Sequence, residues 1–159
     1  MIETVFIETP LGIASISGDE NGITKISITE DSEKKPSTEI PDILKEATTQ
    51  LRDYFEGKRN NFNIKLNPSG TDFQQKVWQE LSKIPFGKTV SYLDIAKRLG
   101  DPKCIRAAAS ANGKNPLWVV VPCHRVIGSD GSLTGYAGGL WRKKWLLDHE
   151  SPVKQQSLF

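Results

Sequence analysis

Apolar and polar residues alternate along residues 4–28, broken by turn signals at Thr9-Pro10-Leu11-Gly12 and Asp19-Glu20-Asn21-Gly22. A period of two between such turns predicts an antiparallel meander of short strands. The segment Asp31–Pro41 is charged and carries two prolines, so the chain leaves the sheet there through a loop. From Ile43 to Phe55 the spacing becomes helical, through Leu44, Leu51 and Phe55, and Gly57 marks the stop. Asn67-Pro68-Ser69-Gly70 reads as a domain boundary, because Thr71 and Gln74 next have the spacing of a capping box. The helix it opens turns Phe73, Val77, Leu81 and Ile84 to one side and ends before Pro85-Phe86-Gly87.

Ser91–Leu99 predicts a short helix with Ile95 and Leu99 inward, stopped by Gly100, and Asp101-Pro102 supplies a cap and a first-position proline for another. Two helices meeting at a tight turn outline a helix-turn-helix. The second carries Lys103 and Arg106 and then only small residues, Ala107, Ala108, Ala109, Ser110 and Ala111. A helix without bulk suits close approach to a minor groove about 6 Å wide, with Arg106 as the probing side chain; burial of its alanines against a neighbour is the alternative use. The expected class is α+β: a small N-terminal antiparallel sheet plus helix over residues 1–68, a mostly helical C-terminal domain with the helix-turn-helix over 71–150, and a tail over 151–159.

Composition narrows the class. The 159 residues are 37% hydrophobic and 25% charged, as in a soluble globular protein. There is neither a secretory leader nor an apolar run near the roughly 20 residues that cross a bilayer, so a cytoplasmic protein with no membrane partner is expected. The two cysteines, Cys104 and Cys123, form no C-x-x-C pair and, with His124 and His149, match no usual zinc spacing, so no metal or cofactor is expected. Residues 1–70 hold 8 Lys and Arg against 12 Asp and Glu, whereas residues 71–159 hold 13 against 7. A basic half joined to an acidic one is the footprint of a nucleic-acid surface confined to one region.

The apolar run Leu117-Trp118-Val119-Val120-Val121 should be buried and delivers the chain to Pro122-Cys123-His124-Arg125-Val126. A thiol attacks as thiolate, and an imidazole or guanidinium beside it lowers its pKa; His124 and Arg125 supply one of each. His124 can act directly or through a water, with a carboxylate orienting the ring. From the residues alone Cys123 stays open between an activated nucleophile, as in a cysteine hydrolase with His124 and Glu150, and a structural cysteine in a helix-turn-helix binding protein.

Pro122-Cys123-His124-Arg125-Val126 resembles the active-site signature of the O6-alkylguanine-DNA alkyltransferases, and the similarity runs from about Phe73 to Glu150. It passes through Asn112-Gly113-Lys114-Asn115-Pro116, Gly135-Tyr136-Ala137-Gly138-Gly139-Leu140 and Trp145-Leu146-Leu147-Asp148-His149-Glu150. The N-terminal half resembles the family only through Thr9-Pro10-Leu11-Gly12.

The resemblance implies a single-use methyltransferase that repairs O6-alkylguanine, and by extension O4-alkylthymine, in double-stranded DNA bound through its minor groove. Cys123 is then the alkyl acceptor, His124 its activator through a water, Glu150 the orienting carboxylate, and Asn115 the brace of the preceding turn. Base flipping gives Arg106 the gap to fill, with Lys103, Ala107 and Ser110 on the same DNA-facing helix, and gives Tyr92 extrusion or proton donation to the leaving base. Tyr136, Ala137, Gly138 and Val126 line the pocket. Two departures stand out: Ala137 replaces a serine of some relatives, and Ala109 a common glycine. Gln155-Gln156-Ser157-Leu158-Phe159 resembles a bacterial sliding-clamp peptide, and a monomer is expected.

Overall fold

The computed structural model describes residues 1–30, 33–133, 135–136 and 138–151. The chain forms two compact units, one of Met1–Ser69 with Pro116–Val120, the other of Gly70–Asn115 with the chain from Val121 onward. The class is α+β, as the pattern predicts.

In the first unit, strands β1 (Glu3–Thr9), β2 (Gly12–Asp19) and β3 (Gly22–Ile28) pair antiparallel in chain order. Their connections are two-residue turns at the predicted sites: Thr9 Oγ1 donates to Gly12 O at 2.7 Å, and Asp19 Oδ1 accepts from Asn21 N at 2.8 Å. Alternation sends Val5, Ile7, Ala14, Ile16, Ile23 and Ile26 to one buried face. Helix α1 (Asp42–Phe55) covers it with Leu44, Ala47, Thr48, Leu51 and Tyr54, spaced three and four apart. Fully burying a leucine such as Leu44 or Leu51 stabilises by about 2 kcal/mol, so this unit is held mainly by apolar area.

Residues 116–120 join the sheet, with Ile26 N donating to Pro116 O and Trp118 N to Ile26 O, at 2.8 and 3.0 Å. The apolar run is buried as expected, apart from half-buried Val120, but it is not extended. Val119 has φ +71°, and Val120 N donates to Trp118 O at 2.8 Å, closing a three-residue γ-turn. A β-branched residue in that region costs on the order of 1–3 kcal/mol.

In the second unit, α2 (Asp72–Leu81) starts at the predicted capping box: Thr71 Oγ1 accepts from Gln74 N at 3.1 Å and Gln74 Oε1 from Thr71 N at 2.9 Å. Val77, Leu81 and Ile84 are buried and Phe73 half-buried. A second capping box, Ser91 with Asp94, opens α3 (Tyr92–Arg98). Gly100 at φ +96° lets the chain reverse. The next helix begins later than the sequence suggests: Asp101 caps a 3-10 turn, Pro102–Cys104, and α4 runs Ile105–Gly113. The parallel pair β4 (Val90–Ser91) and β5 (Val126–Ile127) holds the start of α3 beside the chain that follows Arg125, and α5 (Leu140–Glu150) closes the unit.

The alanine-rich helix has a buried face and an exposed one. Ala108 and Ala111 are buried, with Trp78 Nε1 of α2 donating to Ala111 O at 2.9 Å. Arg106, Ala107 and Ser110 are exposed.

Candidate active site

Pro122, at φ −82° and ψ 64°, centres an inverse γ-turn in which Cys123 N donates to Val121 O at 2.8 Å. Asn115 Nδ2 donates to the same carbonyl at 2.7 Å and also hydrogen-bonds the Cys123 thiol. The 3-10 turn Cys123–Arg125 then places three successive side chains in the interior, His124 with no exposure at all.

Their partners divide the site in two. On one side, His124 Nε2 lies 2.7 Å from Glu150 Oε2, while Arg125 Nε and Nη2 donate to Glu150 Oε1 and Oε2 at 2.7 and 2.9 Å. Arg125 Nη1 also donates to Ile84 O at 2.6 Å. Burial alone would push the Glu150 carboxyl up, but hydrogen bonds and charge from His124 and Arg125 bring it down to about 2. An ionised carboxylate only accepts, so His124 carries its proton on Nε2 and leaves Nδ1 as a lone-pair base. That nitrogen is buried and has no hydrogen-bond partner among the described residues. Burial holds the imidazole below its ordinary pKa, opposed by Glu150, so it is neutral at physiological pH.

On the other side, burial pushes the Cys123 thiol up, against the hydrogen bond from Asn115 and the charge of Lys143. Sequence reasoning assigned the neighbouring cation to Arg125. The structure corrects this: Arg125 is spent on Glu150, and the cation that acts on the thiol is Lys143, fully buried on α5 with its Nζ 5.9 Å from the Tyr92 ring centroid. Burial pulls the Lys143 ammonium down, and the Cys123 charge pulls it back up. Lys143 was findable, since it lies three residues before buried Leu146 and seven before Glu150, on one helical face.

A cavity of about 630 Å³ is lined by Tyr92, Ile105, Arg106, Ala109, Gly113, Gly135 and Tyr136. Val126 is fully buried directly after the reactive turn. Lys97, Arg98, Lys103, Arg106 and Lys114, all exposed on or next to α3 and α4, make the neighbouring surface basic. Among the described residues no cluster of His, Cys, Asp and Glu could hold a metal ion, and no helix is long and apolar enough to cross a membrane.

Residues 2–68 match the 6-O-methylguanine DNA methyltransferase, ribonuclease-like domain, and residues 72–152 match the 6-O-methylguanine DNA methyltransferase, DNA binding domain. The chain belongs to this family. The methylated-DNA--protein-cysteine methyltransferase of Methanosarcina acetivorans is 44% identical over 150 residues, covering 90% of this chain and 94% of that one. The crystal structure of Mycobacterium tuberculosis O6-methylguanine methyltransferase superposes with a TM-score of 0.84 at 40% identity, covering 94% and 93% of the two chains. That of Mycobacterium tuberculosis OGT in complex with DNA gives 0.82 at 43% identity, covering 91% and 90%.

Of the departures from the 6-O-methylguanine DNA methyltransferase pattern noted in the sequence, Ala109 is half-buried at the cavity wall. Ala137 and the motif Gln155–Phe159 lie outside the described residues.

Proposed function

We propose that this methyltransferase repairs DNA by moving the alkyl group of an O6-alkylguanine onto its own Cys123, once per chain. The observation that carries the reading is the pairing of a buried thiol with two unlike neighbours, a cation at Lys143 and a buried base at His124 anchored on Glu150.

The sulfur proton leaves first, through a water, to His124 Nδ1, and the imidazolium is stabilised by Glu150 at 2.7 Å. The thiolate, stabilised by Lys143 and by a hydrogen bond from Asn115, attacks the alkyl carbon. The S–C bond forms, the C–O6 bond breaks, and its electron pair goes to the guanine. Proton donation from Tyr92 spares the base an anionic charge, and the proton held on His124 restores neutrality. The resulting thioether is stable to water and offers no hydrolytic step, so the chain is spent.

A base inside the stack cannot reach a thiol only 7% exposed, which requires the guanine to be flipped into the cavity. Arg106 fills the vacated space, and Ala107 and Ser110, exposed and small, let α4 approach a minor groove with Lys103 on the phosphates. Gly138 and Val126, beside Tyr136 and the Cys123–Arg125 turn in the chain, would complete the wall around the flipped base. O4-alkylthymine offers the same alkyl–oxygen bond and is a second substrate. The protein acts as a cytoplasmic monomer, and Gln155–Phe159 docks it on the bacterial sliding clamp; a chain ending at Ser151 that binds purified clamp equally well removes that last point.

The test is a titration of a duplex carrying one O6-methylguanine. Lesion should disappear in a burst equal to the protein added and then stop, with none lost to Cys123→Ser. Continued turnover would mean a hydrolase, and binding without loss would mean a reader of damage.

A further inference from the structure

The wall of the cavity has a support that does not belong to the thiol's own neighbours. Gly138 is wedged between two side chains: a Cβ added there would lie 3.2 Å from Tyr136 Cε2 and 3.4 Å from Arg142 Cδ. Arg142 Nη1 donates to Gly138 O at 2.9 Å, and Gly139 N donates to Tyr136 O at 2.9 Å, so Gly138 is tied to α5 and Gly139 to Tyr136. The Arg142 Cζ lies over the ring of Trp141, 4.5 Å from its centroid. Arg142 is only 8% exposed, whereas Trp141 is 58% exposed. The series runs Trp141 indole, Arg142, Gly138, Tyr136 ring, and Tyr136 ends on the cavity.

A buried guanidinium costs free energy unless it is hydrogen-bonded, and Arg142 makes one such bond to the backbone beside Tyr136. Resting on the transferase reading above, we infer that Arg142 is a positioning residue for the base pocket: through Gly138 it fixes the Tyr136 wall, with the Trp141 ring against its guanidinium. Arg142 touches neither thiol nor base in this role. Its loss therefore loosens recognition of the flipped guanine while leaving the thiol and the DNA surface as they are. The planar fork matters, because an ammonium can bond Gly138 O but does not stack on the indole in the same way.

The experiment compares wild type with Arg142→Met, Arg142→Lys and Trp141→Ala in three readouts. These are single-turnover methyl transfer from an O6-methylguanine duplex, affinity for the undamaged duplex, and the rate at which iodoacetamide labels Cys123. Arg142→Met keeps the stem that packs on Gly138 and removes only the donor. It should slow transfer by about tenfold, the factor expected for one charge-assisted hydrogen bond, with the other two readouts within twofold of wild type. Arg142→Lys should recover part of the loss, and Trp141→Ala should show a smaller loss of the same kind. The inference is overturned if Arg142→Met transfers at the wild-type rate, or if all three readouts fall together as in a general loss of structure. A wild-type chain that takes no methyl at all would instead sink the transferase reading itself.

Discussion

The two units solve opposite problems with their interiors. In the first, the buried polar residues are uncharged, Thr9, Thr48 and Gln50, and the rest of the core is aliphatic or aromatic. In the second, His124, Arg125, Arg142, Lys143 and Glu150 are all buried, so every buried acidic or basic side chain among the described residues, tyrosine aside, sits in the unit that holds the thiol. Replacing a buried ion pair with hydrophobic residues is often neutral or stabilising, so such groups are poor evidence of a need for stability. Their concentration around Cys123 marks where chemistry rather than folding set the choice of residue.

This contrast can be broken most severely at Glu150. Glu150→Gln removes the carboxylate shared by His124 and Arg125 and should cost about 3–5 kcal/mol of stability, because a charge is left buried without its partner. It should also slow methyl transfer on the order of 100-fold, read by single-turnover kinetics on the fraction still folded. The acid limb follows the same group. Glu150 lies below its ordinary value, at about 2, so its contribution is complete above the unfolded carboxylate range and is lost as pH falls through about 2. Acid unfolding of Glu150→Gln should lack that step.

Leu51→Ala tests the other unit. A cavity under α1 should cost about 2–5 kcal/mol in denaturant melts, while the transfer rate per folded molecule stays that of wild type. If the rate falls as well, the two interiors are not separable in the way described.

Lys143→Met should slow transfer about tenfold at pH 7, roughly 1.4 kcal/mol, with the sign set by its charge. Removing the cation raises a thiol that burial already raises, so the deficit should shrink as pH increases. A deficit that is the same at every pH would assign Lys143 to packing. The smallest effect is expected at Thr71→Ala, which deletes the cap of α2 and should cost about 1 kcal/mol with no change in transfer.

The regular parts of the fold were legible because one period governed each of them. Alternation at Val5, Ile7, Ala14 and Ile16, and the capping box at Thr71 and Gln74, gave sheet and helix directly. The start of α4 was misplaced because Asp101-Pro102 signals a first turn without saying whether that turn is α or 3-10. Val119 was unreadable for a deeper reason: local propensity argues against a positive φ for valine, and only the surrounding packing holds it there. At the site, adjacency in sequence misled. Arg125 follows His124 but is turned to Glu150, whereas Lys143, far along the chain, supplies the charge that acts on the thiol. Cys123, His124 and Glu150 were nameable from motif resemblance, but the direction of His124, with Nε2 on Glu150 and Nδ1 buried without a hydrogen-bond partner among the described residues, required coordinates.

The most direct test of the central claim is peptide mass spectrometry of the protein after reaction with a duplex containing one O6-methylguanine. The account predicts a single added methyl on the peptide carrying Cys123, at most one per chain and in proportion to the damaged duplex supplied, with none from undamaged DNA. Lesion lost while Cys123 stays unmodified, or a methyl found on Cys104 instead, would contradict it.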